Sequence, residues 1–344
     1  TSDIPAFDFP IANGTVRCIT PDGSGGYYVG GSFSTIGNIA RQNLAHVKSN
    51  KSIDAGFTAD CNGEVRAIVK NGNKIFIGGA FTTVNGTPRN YVASVNSNSG
   101  VVTNSWDANC NNAVYSLALV DTCLYIGGAF NKVGNYNQKY FSRVGIVKGK
   151  VVSGLTNTDS YVQKIDQKGD TLYVGGNFTN TGFDAQYLAS VTTTNDAPDI
   201  NFPSADGTIY SVVSDGSGGW YVGGNFNNIG GVARQKLAHV KSDLTIDANP
   251  NLTINADVRT IVKSGSLLYF GGSFTSVAGS TRNYLAAVNA SSSALNSWDP
   301  NANNAVYTLA LKDTVFYAGG AFSFIGGKAR YYISPISKNS GKAL

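Results

Sequence analysis

Short apolar runs recur along the whole chain, each closed by a cluster of Gly, Asn, Ser or Asp. One stretch displays the pattern best. Val65 to Val69 (VRAIV) is followed by Asn71-Gly72-Asn73, a tight-turn sequence, and then by Ile75 to Phe81 (IFIGGAF). The loop VNGTPRN leads to Tyr91 to Asn96 (YVASVN), where apolar and polar residues alternate. A turn at Asn98-Ser99-Gly100 then opens VVTNSWD, which ends at Asp107. Alternation with period two, β-branched and aromatic enrichment, and Asn/Gly turns predict four short antiparallel strands. No 3.6-residue period competes, which argues against helical repeats.

The second of these strands returns seven times as an apolar or aromatic run closed by Gly-Gly, one small residue and Phe. The runs end at Phe33, Phe81, Phe130, Phe178, Phe226, Phe274 and Phe322, and their first glycines are 48 residues apart except for one step of 49. Four strands and four turns fill such a period, the size of a propeller blade. Gly-Gly inside a strand is costly unless a bulge or a close backbone approach demands it, and the Phe is expected to fill the layer between neighbouring units. No helix follows the phrase, so it is not a phosphate loop. Arg41, Arg89, Arg234, Arg282 and Arg330 stand eight residues after the phrase in five units. That regularity predicts a bracing role on loop carbonyls or an adjacent unit.

Distant units match better than neighbours. DGSGGYYVGGSF at Asp22 returns as DGSGGWYVGGNF at Asp215, and NAVYSLALVDTCLYIGGAF at Asn112 returns as NAVYTLALKDTVFYAGGAF at Asn304. Units one to three therefore resemble units five to seven, and the unit near residues 145–196 diverges. The last unit stops short of a Trp-Asp segment, while IPAFDFPIANG at the N-terminus aligns with NSWDPNANN ending at Asn304. The expected fold is all-β: residues 1–344 as one closed seven-bladed β-propeller of four-stranded blades, the last completed by the N-terminal segment around Ile4 to Phe9.

Composition narrows the function class. With 42% hydrophobic and 14% charged residues the chain can offset its ordering entropy and is not disordered. A net charge of +5 without a Lys/Arg run gives no nucleic-acid groove, and no apolar run reaches the length of a membrane span. The absence of Met points to a processed or excised chain, and the Asn/Ser/Thr/Gly-rich composition to a mature secreted one.

Candidate chemistry is sparse. Many of the twenty Asp obey the repeat at turn positions, only one Glu occurs, and no carboxylate pair of the glycosidase kind stands out. His46 and His239 share one repeat position four units apart, so a common structural placement is expected rather than a metal site, and no cofactor is implied. Cys18, Cys61, Cys110 and Cys123 are replaced in the second copy by Ser211, Ile254, Ala302 and Val315, as packing residues would be. If one disulfide forms, Cys61 with Cys110 is the candidate pair, both lying four residues before the first strand of adjacent units. Between Thr122 and Thr158 there is no acid, but Lys132, Lys139, Arg143, Lys148 and Lys150 accompany Tyr136, Tyr140 and Phe141. Cations beside aromatic rings suit sugar faces or anionic groups, so Lys139, Arg143, Tyr136 and Tyr140 are candidate ligand contacts. Lys164 aligns with Cys18, Ala67, Ser116, Ser211, Thr260 and Thr308, a slot of small side chains. A buried unpaired ammonium would cost about several kcal/mol, so Lys164 should reach water in a central channel or pair with Asp166, and the channel is favoured.

The stretch IDAGFTADCNGEVRAIVKNGNKIFIGGAFTTVNGTPRN (Ile53 to Asn90) resembles the delta-60 repeat of bacterial surface and secreted β-propellers. The resemblance covers nearly the whole chain, least in the fourth unit, and implies the propeller fold with no catalytic signature. The resulting expectation is a noncatalytic extracellular or cell-surface module for binding, adhesion or assembly. Its partner would be a surface glycan, a protein ligand or a copy of itself. The alternatives are a carbohydrate-active enzyme on the same scaffold and the protomer of an extracellular fibre.

Overall fold

The computed structural model describes residues 9–344 apart from 153, 154, 156, 181–184, 195, 197 and 200. Among the described residues there is no helix. In each unit the two runs flanking a turn pair as a hairpin, and a third strand adds to the far edge of the second. In the second unit Val65–Asn71 pairs with Lys74–Gly79, which pairs in turn with Val92–Asn96. Gly72 makes the first turn with a φ of 56°, a conformation that carries little penalty for a residue without Cβ. Among the described residues seven such three-stranded antiparallel sheets follow one another along the chain.

The expected fourth strand is smaller than the sequence implied. In the second unit it is a single bridge, Val95 to Val102, and among the described residues the other six sheets carry the same lone bridge. In the seventh sheet Ala343, near the C-terminus, makes it against Ile336. Ile4 and the rest of residues 1–8 lie outside the described residues. Phe9 is described: it is buried, and its ring lies 5.4 Å from that of Tyr317 in the seventh sheet. Among the described residues a small two-stranded hairpin sits between the second and third strands of six units, such as Thr83–Val84 with Thr87–Pro88.

The two glycines of the repeated phrase answer to different neighbours. A Cβ on Gly78 would stand 2.6 Å from Val114 Cγ1 in the next sheet, so the first glycine is where adjacent sheets touch. A Cβ on Gly79 would stand 2.0 Å from the Glu64 carbonyl oxygen of its own sheet, where the first strand bulges. The same pair of contacts recurs at Gly127 and Gly128, and Gly319 of the last sheet meets Val16 of the first. Buried side chains pool between sheets accordingly. One cluster joins Phe76 and Val92 to Val114, Leu124 and Phe130; another joins Ile333 and Tyr317 to Phe9, Val16 and Val29. Phe81, Phe130, Phe178, Phe274 and Phe322 are fully buried in these layers. Each such ring stabilises the fold by roughly 1.5–3 kcal/mol through burial.

The first strands pack side by side in chain order, and Val16–Pro21 of the first sheet also packs against Val306–Lys312 of the last. Side chains from all seven first strands line a common cavity.

The periodic arginines brace loops. Arg41 Nη2 donates to the carbonyls of Asp54 and Ala55, Arg234 Nη2 to those of Asp247 and Ala248, and Arg330 Nη2 to that of Leu344. The duplicated histidines are matched clamps. His46 sets Nδ1 2.9 Å from Asp54 and Nε2 3.1 Å from Asp22, and His239 repeats both distances with Asp247 and Asp215. All four cysteines are free thiols, so the Cys61–Cys110 disulfide is not formed. Cys61 instead bridges Val84 and Cys110 bridges Val133, each buried in a different cluster, and burial pushes both thiols far above their ordinary range.

Candidate binding site between the first strands

Each first strand carries the same irregularity. The register slips between Val16 and Cys18, and again at Val65/Ala67, Val114/Ser116, Val162/Lys164, Ile209/Ser211, Val258/Thr260 and Val306/Thr308. The residue before each slip is fully buried, which leaves the extra residue of the bulge re-aimed out of the ladder. Those extra residues are Arg17, Arg66, Tyr115, Gln163, Tyr210, Arg259 and Tyr307. All seven are half-buried, and together they line a mouth of about 200 Å³ that leads into the larger cavity of about 380 Å³.

Six of the seven place cations over rings, in one run of four and one separate pair. The Arg17 guanidinium lies 4.4 Å from the Tyr307 ring centroid, Arg66 lies 4.8 Å from Tyr115, and Arg259 lies 4.7 Å from Tyr210 and 5.7 Å from Tyr307. Glu64 sits between the two adjacent arginines, accepting from Arg17 Nε at 2.7 Å and from Arg66 Nε at 2.5 Å. Burial opposes ionisation of Glu64, but the two guanidiniums outweigh it and hold the carboxyl below the usual range. Asp257 accepts from Arg259 Nη2 at 2.8 Å. Gln163, from the divergent fourth unit, is the one amide in this lining and donates to Asn177 at 3.2 Å.

One position deeper lies the slot of small residues. Some of its hydroxyls tie neighbouring first strands together: Ser116 Oγ accepts from the Ile165 amide at 2.9 Å and Thr260 Oγ1 from the Leu309 amide at 3.2 Å. Lys164 breaks the pattern and lines the cavity, its ammonium without an ion pair or hydrogen bond among the described residues. Asp166 also lines it, where its carboxylate accepts from the Gln167 amide.

The other candidate contacts are dispersed. Arg143 is committed to Asp196 at 2.9 Å and donates to the Tyr125 hydroxyl at 3.3 Å. Tyr136 is exposed on the small hairpin of the third unit. Lys139 and Tyr140 border a separate surface cleft with Asn157, Asp159 and Asn180. Tyr140 meets Tyr161 edge-on at 5.4 Å, and Tyr161 meets Tyr115 of the mouth at 6.3 Å, so a line of rings leads from that cleft to the rim. The mouth residues themselves escaped the sequence reading, although a signal was present. The residue before the small slot is long and polar or aromatic in every unit. Among the described residues no group of three or more His, Cys, Asp or Glu could hold a metal ion, and no helix is long and apolar enough to cross a membrane.

Comparison with known proteins agrees at the level of fold. Residues 73–99 match the model of a family described as a domain of unknown function (DUF5122) beta-propeller. Two solved structures are similar over most of their length. The WD40 β-propeller domain of Doa1 aligns with a TM-score of 0.59 at 10% identity, covering 91% of this chain and 93% of that one. The computationally designed Ika8 protein aligns with a TM-score of 0.57 at 11% identity, covering 98% and 88%. Curated proteins gave no match. The chain is thus an all-β, repeat-built protein of propeller-like fold.

Proposed function

We propose that this chain is a noncatalytic binding module on or outside the cell surface, and that it meets its ligand, a surface glycan or a protein, at the mouth between the first strands. In this reading the seven sheets are the blades of one closed ring spanning residues 1–344, related to the delta-60 repeat propellers. The packing of the first sheet on the last, through Val16 against Gly319 and Phe9 against Tyr317, supports closure. The observation that carries the function is the convergence of one bulged side chain from every sheet on a single mouth. Nothing in the strand ladders needs those residues, yet each is placed by the same local distortion, as expected where a scaffold aims side chains at a ligand. The noncatalytic part rests on the carboxylates. Glu64 is held ionised between two arginines and so does not offer the protonated acid that glycoside cleavage requires, and Asp257 is engaged by Arg259 Nη2 at 2.8 Å.

Binding of the purified protein to a glycan array and to intact cells, compared with Tyr210→Ala, tests this. Binding that is lost in the variant, while its thermal unfolding is unchanged, is the expected result. Absence of binding to any glycan, surface or copy of itself overturns the proposal.

A further inference from the structure

The mouth has a charge character that narrows the class of ligand it can take, provided that it is the binding site. Arg17, Arg66, Arg259 and Lys164 face the mouth and cavity against Glu64, Asp257 and Asp166, a balance of one positive charge. The distribution matters more than the sum. Glu64 occupies the Nε edge of both Arg17 and Arg66, and among the described residues their Nη1 and Nη2 groups carry no hydrogen bond. Each guanidinium also lies over a ring, Arg17 on Tyr307 and Arg66 on Tyr115. Two neighbouring forks are thereby held with their donor edges unused, which is the arrangement that binds an oxyanion without first losing side-chain freedom. Arg259 contributes a further unused Nη1, and Lys164 stands one layer deeper with no ion pair among the described residues.

We propose that the mouth recognises an acidic sugar residue, its carboxylate or sulfate seated on the Nη groups of Arg17 and Arg66 above Lys164. The lining favours a saccharide over an acidic peptide. It consists of three Arg, three Tyr and one Gln, with none of the aliphatic pockets in which peptide side chains anchor. The tyrosine hydroxyls and the Gln163 amide instead suit a ring of hydroxyls, and Tyr161 and Tyr140 extend the aromatic lining outward for further sugar units.

Calorimetric titration with a galacturonic acid trimer, a heparin tetrasaccharide, a neutral galactose trimer, hexaglutamate and inorganic sulfate tests the assignment, on the wild type and on Arg66→Ala, Arg259→Ala and Lys164→Ala. At least one acidic saccharide should bind, weaken with salt, and lose about tenfold or more in affinity in Arg66→Ala, the loss expected for a charge-assisted contact. The neutral trimer should bind far more weakly. Arg66→Lys, which keeps the charge but not the fork, should recover only part of the affinity, and Arg259→Ala gives an independent reading should Arg66→Ala not fold. Equal binding of the neutral trimer that depends on Tyr210 would overturn the acidic class while leaving the mouth as the binding site. Tighter binding of hexaglutamate than of either acidic saccharide would overturn the saccharide class. Binding of sulfate alone, or of nothing, would overturn the proposal.

Discussion

Single residues in this repeat are fixed by contacts of two kinds, and the glycine pair separates them. Alanine at Gly78 would press a methyl group onto a valine side chain 2.6 Å away, which can shift by a rotamer or a small movement of the neighbouring sheet. Alanine at Gly79 would press on the Glu64 carbonyl at 2.0 Å, a backbone atom held by the bulge. Gly78→Ala should therefore cost about 1–3 kcal/mol, the usual penalty for overpacking, and Gly79→Ala more. Melting temperatures of the two variants check the order, and Gly78→Ala proving the more damaging would contradict it. The cysteines allow a second test at this scale. With every thiol free and Cys61 and Cys110 buried in separate clusters, reductant should leave the unfolding transition where it is.

Hairpins and loops are held by polar clamps whose charge state can be titrated. The Asp22 carboxyl is opposed by burial. Ser24, through both amide and hydroxyl, His46 and the Gly26 amide outweigh that and bring it down to about 2, and Asp215 is likewise lowered to about 2 by the matching groups. A carboxyl whose folded value is depressed binds its proton first in the unfolded chain as pH falls. The stability these groups contribute is thus complete above the ordinary carboxylate range and disappears as pH drops from about 4 to about 2. Denaturant unfolding at a series of pH values should show a steep loss in that window. The loss should be shallower in the Asp22→Asn/Asp215→Asn double variant, and an identical slope would remove these turns from the account.

For the whole molecule the decisive contact joins its two ends. Phe9 is 3% exposed and packs on Tyr317 of the seventh sheet, as Phe202 packs on Tyr173 of the fourth. If the ring closes, Phe9→Ala creates a cavity at the junction of first and last sheets and should cost about 3–5 kcal/mol, much as Phe202→Ala does. A Phe9→Ala protein as stable as the wild type, beside a destabilised Phe202→Ala, would show that the junction contributes nothing. Lys164 belongs to the same scale, because only the assembled strands give it a cavity to face. Lys164→Ala should leave stability nearly unchanged, since the ammonium makes no ion pair among the described residues, and calorimetric unfolding would reveal any larger role.

Seven equal units, their strands and their turns follow from local rules: period-two apolar runs, Asn/Gly turns and a phrase returning every 48 residues or so. The bracing arginines and the paired histidines were legible too, because a residue that obeys the repeat answers to the repeat's own geometry. Other features depended on groups distant in sequence. The outer strand is one bridge rather than a ladder, and no local pattern measures how far such pairing extends. The basic aromatic segment around Tyr136, Lys139 and Arg143 looked like one site, yet Arg143 was drawn to Asp196 and the others to the surface. The mouth is the reverse case. Arg17, Arg66, Tyr115, Gln163, Tyr210, Arg259 and Tyr307 are spread over the whole chain, and each alone looks like an ordinary strand residue. Only when the seven first strands pack side by side does the bulge, a purely local device, bring those side chains to one place. The sequence by itself therefore determined the unit and its repetition, because strand, turn and glycine constraints act within a few residues. The site was decided by tertiary structure, because its members meet only through the packing of sheet against sheet.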